Sequence, residues 1–224
     1  MDILFLTNRP TKNSQATTVT EYLDSLHMYS SHRVFEVSML HHFPSGLELN
    51  RFDAIITHYS LSIGPLLEHY LGKELISKLK KFKGLKAAFL QDEYREIKTY
   101  WQNINALGLD VLFSCVPEAE IDKVYPSNQV PRLCVENVLT GYVSQNLIKR
   151  GVPEIQERVI DVGYRTRQMP FWLGRLGYEK WWIAEEFKSQ GSKFNLRLDF
   201  SVREGDRLYG DNWTKFVASC RAVI

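Results

Sequence analysis

Along this chain short apolar runs recur at a regular beat, and the segments between them carry apolar residues at helical spacing. The runs are DILFLT (2–7), RVFEVSM (33–39), FDAIITH (52–58), KAAFLQ (86–91), DVLFSCV (110–116) and RLCVEN (132–137). Most are continuously apolar rather than alternating, the pattern of strands buried on both faces in a parallel sheet covered by helices. Val19, Tyr22, Leu23 and Leu26 fall at i, i+3, i+4 and i+7, one buried stripe, behind a Thr18–Glu21 capping-box pattern. The stretches 64–82 and 93–108 are amphipathic too, and each ends near a glycine stop, Gly84 or Gly108. Alternating strand and helix predicts an α/β domain over 1–150 built on a doubly wound parallel sheet.

The beat pauses at KRGVPEIQER, where Gly151 and Pro153 mark a linker over 151–157. It resumes with RVIDVGY (158–164) as a strand and 173–191 as a long helix, whose stripe is Leu173, Leu176, Ile183 and Phe187. FNLRLDFSV (194–202) reads as a second strand. A helix over 211–220 follows with Asp211 as its N-cap, and RAVI (221–224) begins a third strand. The piece from 158 to 224 therefore reads as the beginning of a second domain of the same type. At about 70 residues it is smaller than a typical domain, and it stops inside an apolar strand. The expectation is a fragment of a longer protein, with a naturally short form as the other option.

Composition narrows the classes. Charged residues are 24% and the formal net charge is +2, which argues against a nucleic-acid partner. The densest basic run, KLKKFKGLK (78–86), reads as a helix end whose lysines complement the helix dipole, with a phosphate or membrane-surface patch as the alternative. Three widely spaced cysteines without a CxxC suggest neither a zinc site nor a disulfide framework and fit a reducing cytosol. The apolar run in MDILFLTNRP is too short for a signal peptide, and no stretch approaches the roughly 20 apolar residues of a membrane span. The expected location is cytoplasmic, with peripheral association at the inner face of the membrane and homodimerisation left open.

In open α/β sheets ligands bind beyond the carboxyl ends of the strands. The polar residues that follow each strand are therefore the site candidates: Asn8 and Arg9; His58 and Tyr59; Asp92, Glu93 and Arg95; and Arg165 and Arg167. Asp92, ahead of His58, is the candidate general base. Asn8, Arg9, Tyr59, Glu93 and Arg95 are candidate substrate contacts. Arg165 and Arg167 stand ahead of a helix and have the forked donors that match a diphosphate.

Each also has a purely structural explanation. Arg9 suits a turn before Pro10, and His58 suits a satisfied strand end. Asp92 and Glu93 suit the start of a helix, and Arg165 and Arg167 suit surface ion pairs. His41 and His42 are adjacent, so they point apart and argue no metal site. Trp181 and Trp182 suit packing. The chain has no GxGxxG after the first strand, and no GxxxxGK[ST], GxSxG or HExxH, which argues against ordinary dehydrogenases, P-loop NTPases, α/β-hydrolases and zinc proteases.

FLQDEYREI, DVLFSCVPEAEIDKVYP and IDVGYRTRQMPFWLGRLGYEK resemble segments of bacterial surface-polysaccharide glycosyltransferases of the GT-B architecture, which has two Rossmann-like domains. The likeness runs from DAIITHYS to DNWTKFVASCRAVI. It implies an acceptor-binding first domain, a second domain that binds a nucleotide-sugar donor, and catalysis in the cleft. It implies a glycan or lipid-linked acceptor and places Arg165 and Arg167 on the donor diphosphate, with no metal and no further cofactor. The glycine-rich and acidic donor-binding segments usual later in such a second domain have no counterpart before Ile224, so the chain as given is expected to bind donor weakly. Two other expectations stand beside it: a non-catalytic α/β module that docks through its aromatic helix 173–191, and a nucleotide-sugar epimerase of the same architecture.

Overall fold

The structure is a computed structural model and describes residues 1–11, 14–40, 43–141 and 143–224. His41 and His42 lie outside the described residues. The chain divides into two compact units, Met1–Pro10 with Thr18–Tyr142 and Thr11–Thr17 with Val143–Ile224.

In the first unit, β1 (Asp2–Thr7), β2 (Arg33–Ser38), β3 (Ala54–Thr57), β4 (Leu85–Phe89), β5 (Val111–Ser114) and β6 (Cys134–Asn137) form one sheet. The order is β2-β1-β3-β4-β5-β6, and every pairing is parallel. The connections carry α1 (Thr17–Tyr29), α2 (Leu67–Lys81), α3 (Ile97–Leu107) and the single turn α4 (Ile121–Val124).

The near-continuous apolar runs have a direct cause in packing. Ile3 and Phe5 of β1 join Leu23, Ala54, Ile56 and Ala87, with Val19 and Leu26 of α1 against them. Leu4 and Leu6 point the other way, into a core with Leu71, Leu75 and Leu79 of α2 and Ile104 and Leu107 of α3. Successive side chains thus enter opposite cores, and the sheet has the helix-covered, Rossmann-like form. The strand order reverses between β1 and β3, where such folds open a crevice at the carboxyl edge.

Some boundaries differ from those predicted. Helix α1 begins at Thr17, so Thr18 is inside it rather than capping it. Helix α3 begins at Ile97, four residues after the predicted start at Glu93, and ends at Gly108 in the left-handed region (φ 67). The basic run ends α2, with Lys78, Lys80 and Lys81 in its last turn. Its final lysine, Lys86, goes inward: the Nζ donates to the carbonyls of Leu107 at 2.7 Å and Leu79 at 3.4 Å. Burial lowers its pKa. One ammonium therefore satisfies carbonyls at the ends of both α2 and α3.

From Val143 on, the second unit carries α5 (Gln145–Lys149), capped by Ser144, whose hydroxyl accepts from the Leu147 amide. Three parallel strands follow, β7 (Ile160–Arg165), β8 (Leu198–Ser201) and β9 (Cys220–Val223), in the order β8-β7-β9. Helices α6 (Gly174–Gln190) and α7 (Gly210–Ser219) alternate with them.

Asp211 is not the N-cap of α7: that position is Tyr209, and Asp211 lies in the first turn. On α6 the buried positions are Gly177 and Ala184, while Leu176 is 76% exposed. Small residues let the helix lie close, so the buried stripe is rotated one residue from the prediction. A Cβ on Gly163 of β7 would overlap Cys220 Sγ and stand 2.7 Å from the Phe216 ring. Gly163 is what allows α7 to lie against the sheet.

Gly163→Ala should therefore destabilise the second unit by about 1–3 kcal/mol through overpacking. Urea unfolding of the full chain followed by tryptophan fluorescence is the check, because Trp172, Trp181, Trp182 and Trp213 report on that unit. An unchanged midpoint would mean that α7 has room to shift.

Candidate functional site

At the carboxyl edge of the first sheet, β1 leads directly into Asn8 and Arg9. The Asn8 amide donates to Ser60 Oγ at 2.9 Å, tying this loop to the one after β3. Arg9 forks onto Glu36, with Nε to Oε1 at 2.8 Å and Nη2 to Oε2 at 2.6 Å, and its Nη1 reaches Asp24 at 2.8 Å. Burial alone would raise the Glu36 carboxyl, but hydrogen bonds from Arg9 and Thr7 outweigh it and hold it below the usual range. Arg9 is more than a turn residue, and its donors are committed within the protein.

His58 is fully buried. Phe5, Tyr22, Tyr59 and Phe89 surround it, with the Tyr59 ring 3.8 Å from its own, centroid to centroid. The Ser60 amide donates to Nδ1 at 3.1 Å, so Nδ1 is the acceptor and the proton of the neutral ring sits on Nε2. Nε2 has no hydrogen-bond partner. Burial depresses the pKa to about 3. A ring closed from solvent and this reluctant to take a proton does not suit the base role expected of it. Tyr59 is half-buried, and burial pushes its hydroxyl up to about 12.

A cavity of about 450 Å³ lies beyond the ends of β4 and β5, lined among others by Gln91, Asp92, Glu93, Tyr94 and Cys115. Asp92 is exposed and holds a left-handed backbone (φ 60), as does Glu96 (φ 52). Glu93 faces inward: it accepts from Ser114 Oγ at 2.8 Å, from the Cys115 amide at 3.2 Å and from the Tyr125 hydroxyl. Burial and the carboxylates of Glu93 and Asp92 push the Cys115 thiol up, away from the thiolate. Arg95 is exposed, 4.0 Å from Glu96, and does not line the cavity. Asp92 and Glu93 thus share a cavity, while the expected partner His58 is sealed in the aromatic cluster.

In the second unit a cavity of about 400 Å³ sits beyond the carboxyl end of β7 and at the start of α7. Arg165, Arg167, Lys180, Arg207, Tyr209 and Trp213 line it. Arg165 is held by the protein itself. It donates to the Asp199 carboxylate at 2.8 Å and the Asp199 carbonyl at 2.9 Å, and lies over the Phe216 ring at 4.3 Å. Its Nε is buried without a partner. Arg167 and Arg207 share one carboxylate, Glu204, at 3.5 and 2.7 Å. Tyr209 supplies no side-chain cap to α7, so the first amides of that helix add their positive end to the cavity. The helix that follows Arg165 and Arg167 in sequence starts only at Gly174; the helix start that lines the cavity with them is that of α7.

Sequence reasoning missed Lys180, Arg207 and Trp213. Each is brought in from another element, and only the pairing of β7 with β8 and β9 places those elements beside Arg165. It also missed Ser114 and Tyr125, which hold Glu93. Among the described residues no group of His, Cys, Asp and Glu is arranged to hold a metal ion, and no helix is long and apolar enough to cross a membrane.

No family model, no curated protein and no solved structure matches the chain. The class rests on the parallel α/β sheet, and the site rests on side-chain geometry.

His58 carries a pH signature. Its folded pKa, about 3, lies below the ordinary 6.5, so between these values the unfolded chain binds the extra proton. Its contribution is present above pH 6.5 and is lost as pH falls, at up to about 1.4 kcal/mol per pH unit. Urea midpoints between pH 4 and 7 should fall less steeply in His58→Asn, whose side-chain oxygen still offers Ser60 an acceptor. Parallel slopes in the two proteins would show that the ring reaches solvent.

Proposed function

We propose that the protein is a glycosyltransferase, or part of one, that moves a sugar from a nucleotide-sugar donor to a glycan or lipid-linked acceptor. The observation that carries this reading is the cavity of the second unit, where Arg165, Arg167, Lys180 and Arg207 converge beside Trp213 at the start of α7. Guanidinium forks and free helix amides bind phosphate oxygens, and an indole face suits a nucleobase or sugar ring. The chemistry asked of the cavity is stabilisation of the leaving nucleoside diphosphate as the glycosidic bond breaks. The second unit is then the donor side. In the first unit the acceptor side falls to the Asp92–Glu93 cavity. Asp92 is the exposed carboxylate there and the residue for proton removal, while Glu93 is held by Ser114 and Tyr125 and positions the loop.

Glu204 makes the test two-sided. Its carboxylate occupies the arginines an incoming diphosphate needs, so it acts as a resident competitor. Calorimetric titration with nucleoside diphosphates should show Arg167→Ala and Arg207→Ala each weakening binding by about 10- to 100-fold, the range of a lost charge-assisted hydrogen bond. Glu204→Gln should tighten it. Binding that ignores all three substitutions would remove the diphosphate from this cavity.

A second reading, a docking module, is favoured by one observation: Phe171 (89%), Leu176 (76%) and Tyr178 (56%) are exposed at and near the start of α6. If that surface docks to a second copy, sedimentation should show a dimer that Phe171→Ser/Leu176→Ser converts to monomer. A monomeric parent chain would exclude the homodimer.

A further inference from the structure

We infer that the amino-terminal edge of the six-stranded sheet is a docking surface for an anionic lipid bilayer. A groove of about 550 Å³ opens at this edge, lined by Lys80, Lys83, Lys86, Asn105, Asp110 and Arg132 among others. Its lining carries four cations against one carboxylate, Asp110. Asp110 accepts from the Lys86 amide at 2.8 Å, and the Lys86 ammonium is spent on the carbonyls of Leu79 and Leu107. Lys73 and Lys78 pair with Glu68 and Glu74, further back along α2. Among the described residues Lys80, Lys83 and Arg132 have no ion pair, and all three are exposed.

Apolar side chains stand at the same edge. In a sheet of parallel strands joined by helices, helix carboxyl ends and strand amino ends emerge together. That puts Met28 and Tyr29 at the end of α1, Met1 ahead of β1 and Leu85 at the start of β4 along the edge that carries the groove. They are 61%, 63%, 57% and 41% exposed. Cations that share an edge with exposed Met, Leu and Tyr match a bilayer surface, whose phosphates attract the charge and whose interface takes the apolar tips. A nucleic acid would want exposed rings on which to stack its bases. Phe82, the one aromatic lining the groove, is buried, and Tyr29 stands outside the groove at the end of α1, so no exposed ring is offered where the cations are. The opposite, carboxyl edge carries the Asp92–Glu93 cavity, so docking here leaves that cavity open.

The test is flotation of the full chain with neutral phosphatidylcholine vesicles and with vesicles containing about 30% phosphatidylglycerol. The protein should float with the anionic vesicles only, and less so as salt is raised. Lys80→Gln/Lys83→Gln/Arg132→Gln should weaken partition on the order of a hundred-fold, at about five-fold for each cation. Met28→Ser/Leu85→Ser, which leaves the charges in place, should weaken it several-fold, and circular dichroism confirms that each variant is folded. Equal flotation with neutral vesicles, no flotation with anionic ones, or a folded triple variant that floats like the parent would each overturn the assignment. So would a single-stranded oligonucleotide that displaces the protein from vesicles through the same three cations. None of these outcomes touches the diphosphate proposal, which rests on the second unit.

Discussion

With both faces of β1 and β3 covered by helices, every amide and carbonyl of those strands must be satisfied inside the sheet, and polar side chains are driven to the strand ends. The arrangement of the first unit follows from this. Ile3, Leu4, Phe5 and Leu6 are all buried, so the first places where β1 can show polarity are Thr7, Asn8 and Arg9. The same holds for β3, where His58 and Ser60 come after four buried residues. Candidate chemistry is gathered at one edge because the middle of the sheet has no room for it.

Position at that edge does not by itself make a residue available. Arg9 and Arg167 both follow a strand, yet their surroundings differ. Arg9 meets two carboxylates, Glu36 and Asp24, and Glu36 is largely withdrawn from solvent. Arg167 shares a single exposed carboxylate with Arg207. An exposed, shared ion pair is worth little, so an external anion displaces it at small cost. The half-buried fork of Arg9 would have to be broken and Glu36 left with its desolvation uncompensated. The balance of carboxylates around each arginine separates a structural cation from one free to bind.

Inner strands such as β1 and β3 were legible in the chain because burial on both faces leaves an unbroken apolar run, and its shortness tells it from a buried helix. The stripe of α1 and the stop at Gly108 were legible for similar local reasons. What escaped was set by residues distant in sequence. Nothing near His58 announces that Phe5, Tyr22 and Phe89 close around it. Nothing near Arg165 announces Arg207 or Trp213. The stripe of α6 was misplaced because glycine and alanine carry its contact, and a count of large apolar residues overlooks them. Lys86, read as the last charge of a solvated run, is instead drawn under the ends of two helices.

The loop from Leu90 to Glu96 shows how such a long-range contact reshapes local structure. On sequence alone Asp92 and Glu93 suit a helix start, since acids favour the positive end of a helix. Glu93 instead accepts hydrogen bonds from the side chains of Ser114 and Tyr125 and from the Cys115 amide. Burial and Glu93 together raise the pKa of the Tyr125 hydroxyl, so it remains a donor. A carboxylate held this way costs more to release than the few tenths of a kcal/mol gained from a helix dipole at the surface. The helix start is therefore pushed on to Ile97, and the chain reaches it through two left-handed residues, Asp92 and Glu96. Left-handed backbone is tolerable for aspartate and less so for glutamate, so Glu96 is the strained member. Glu96 is held between Glu93 and the start of α3 at Ile97, and Asp92 between Glu93 and Leu90, whose amide bonds the Phe113 carbonyl at 2.9 Å. Asp92 is thereby presented from a braced loop rather than a free one, the condition on which its proposed role as proton acceptor depends.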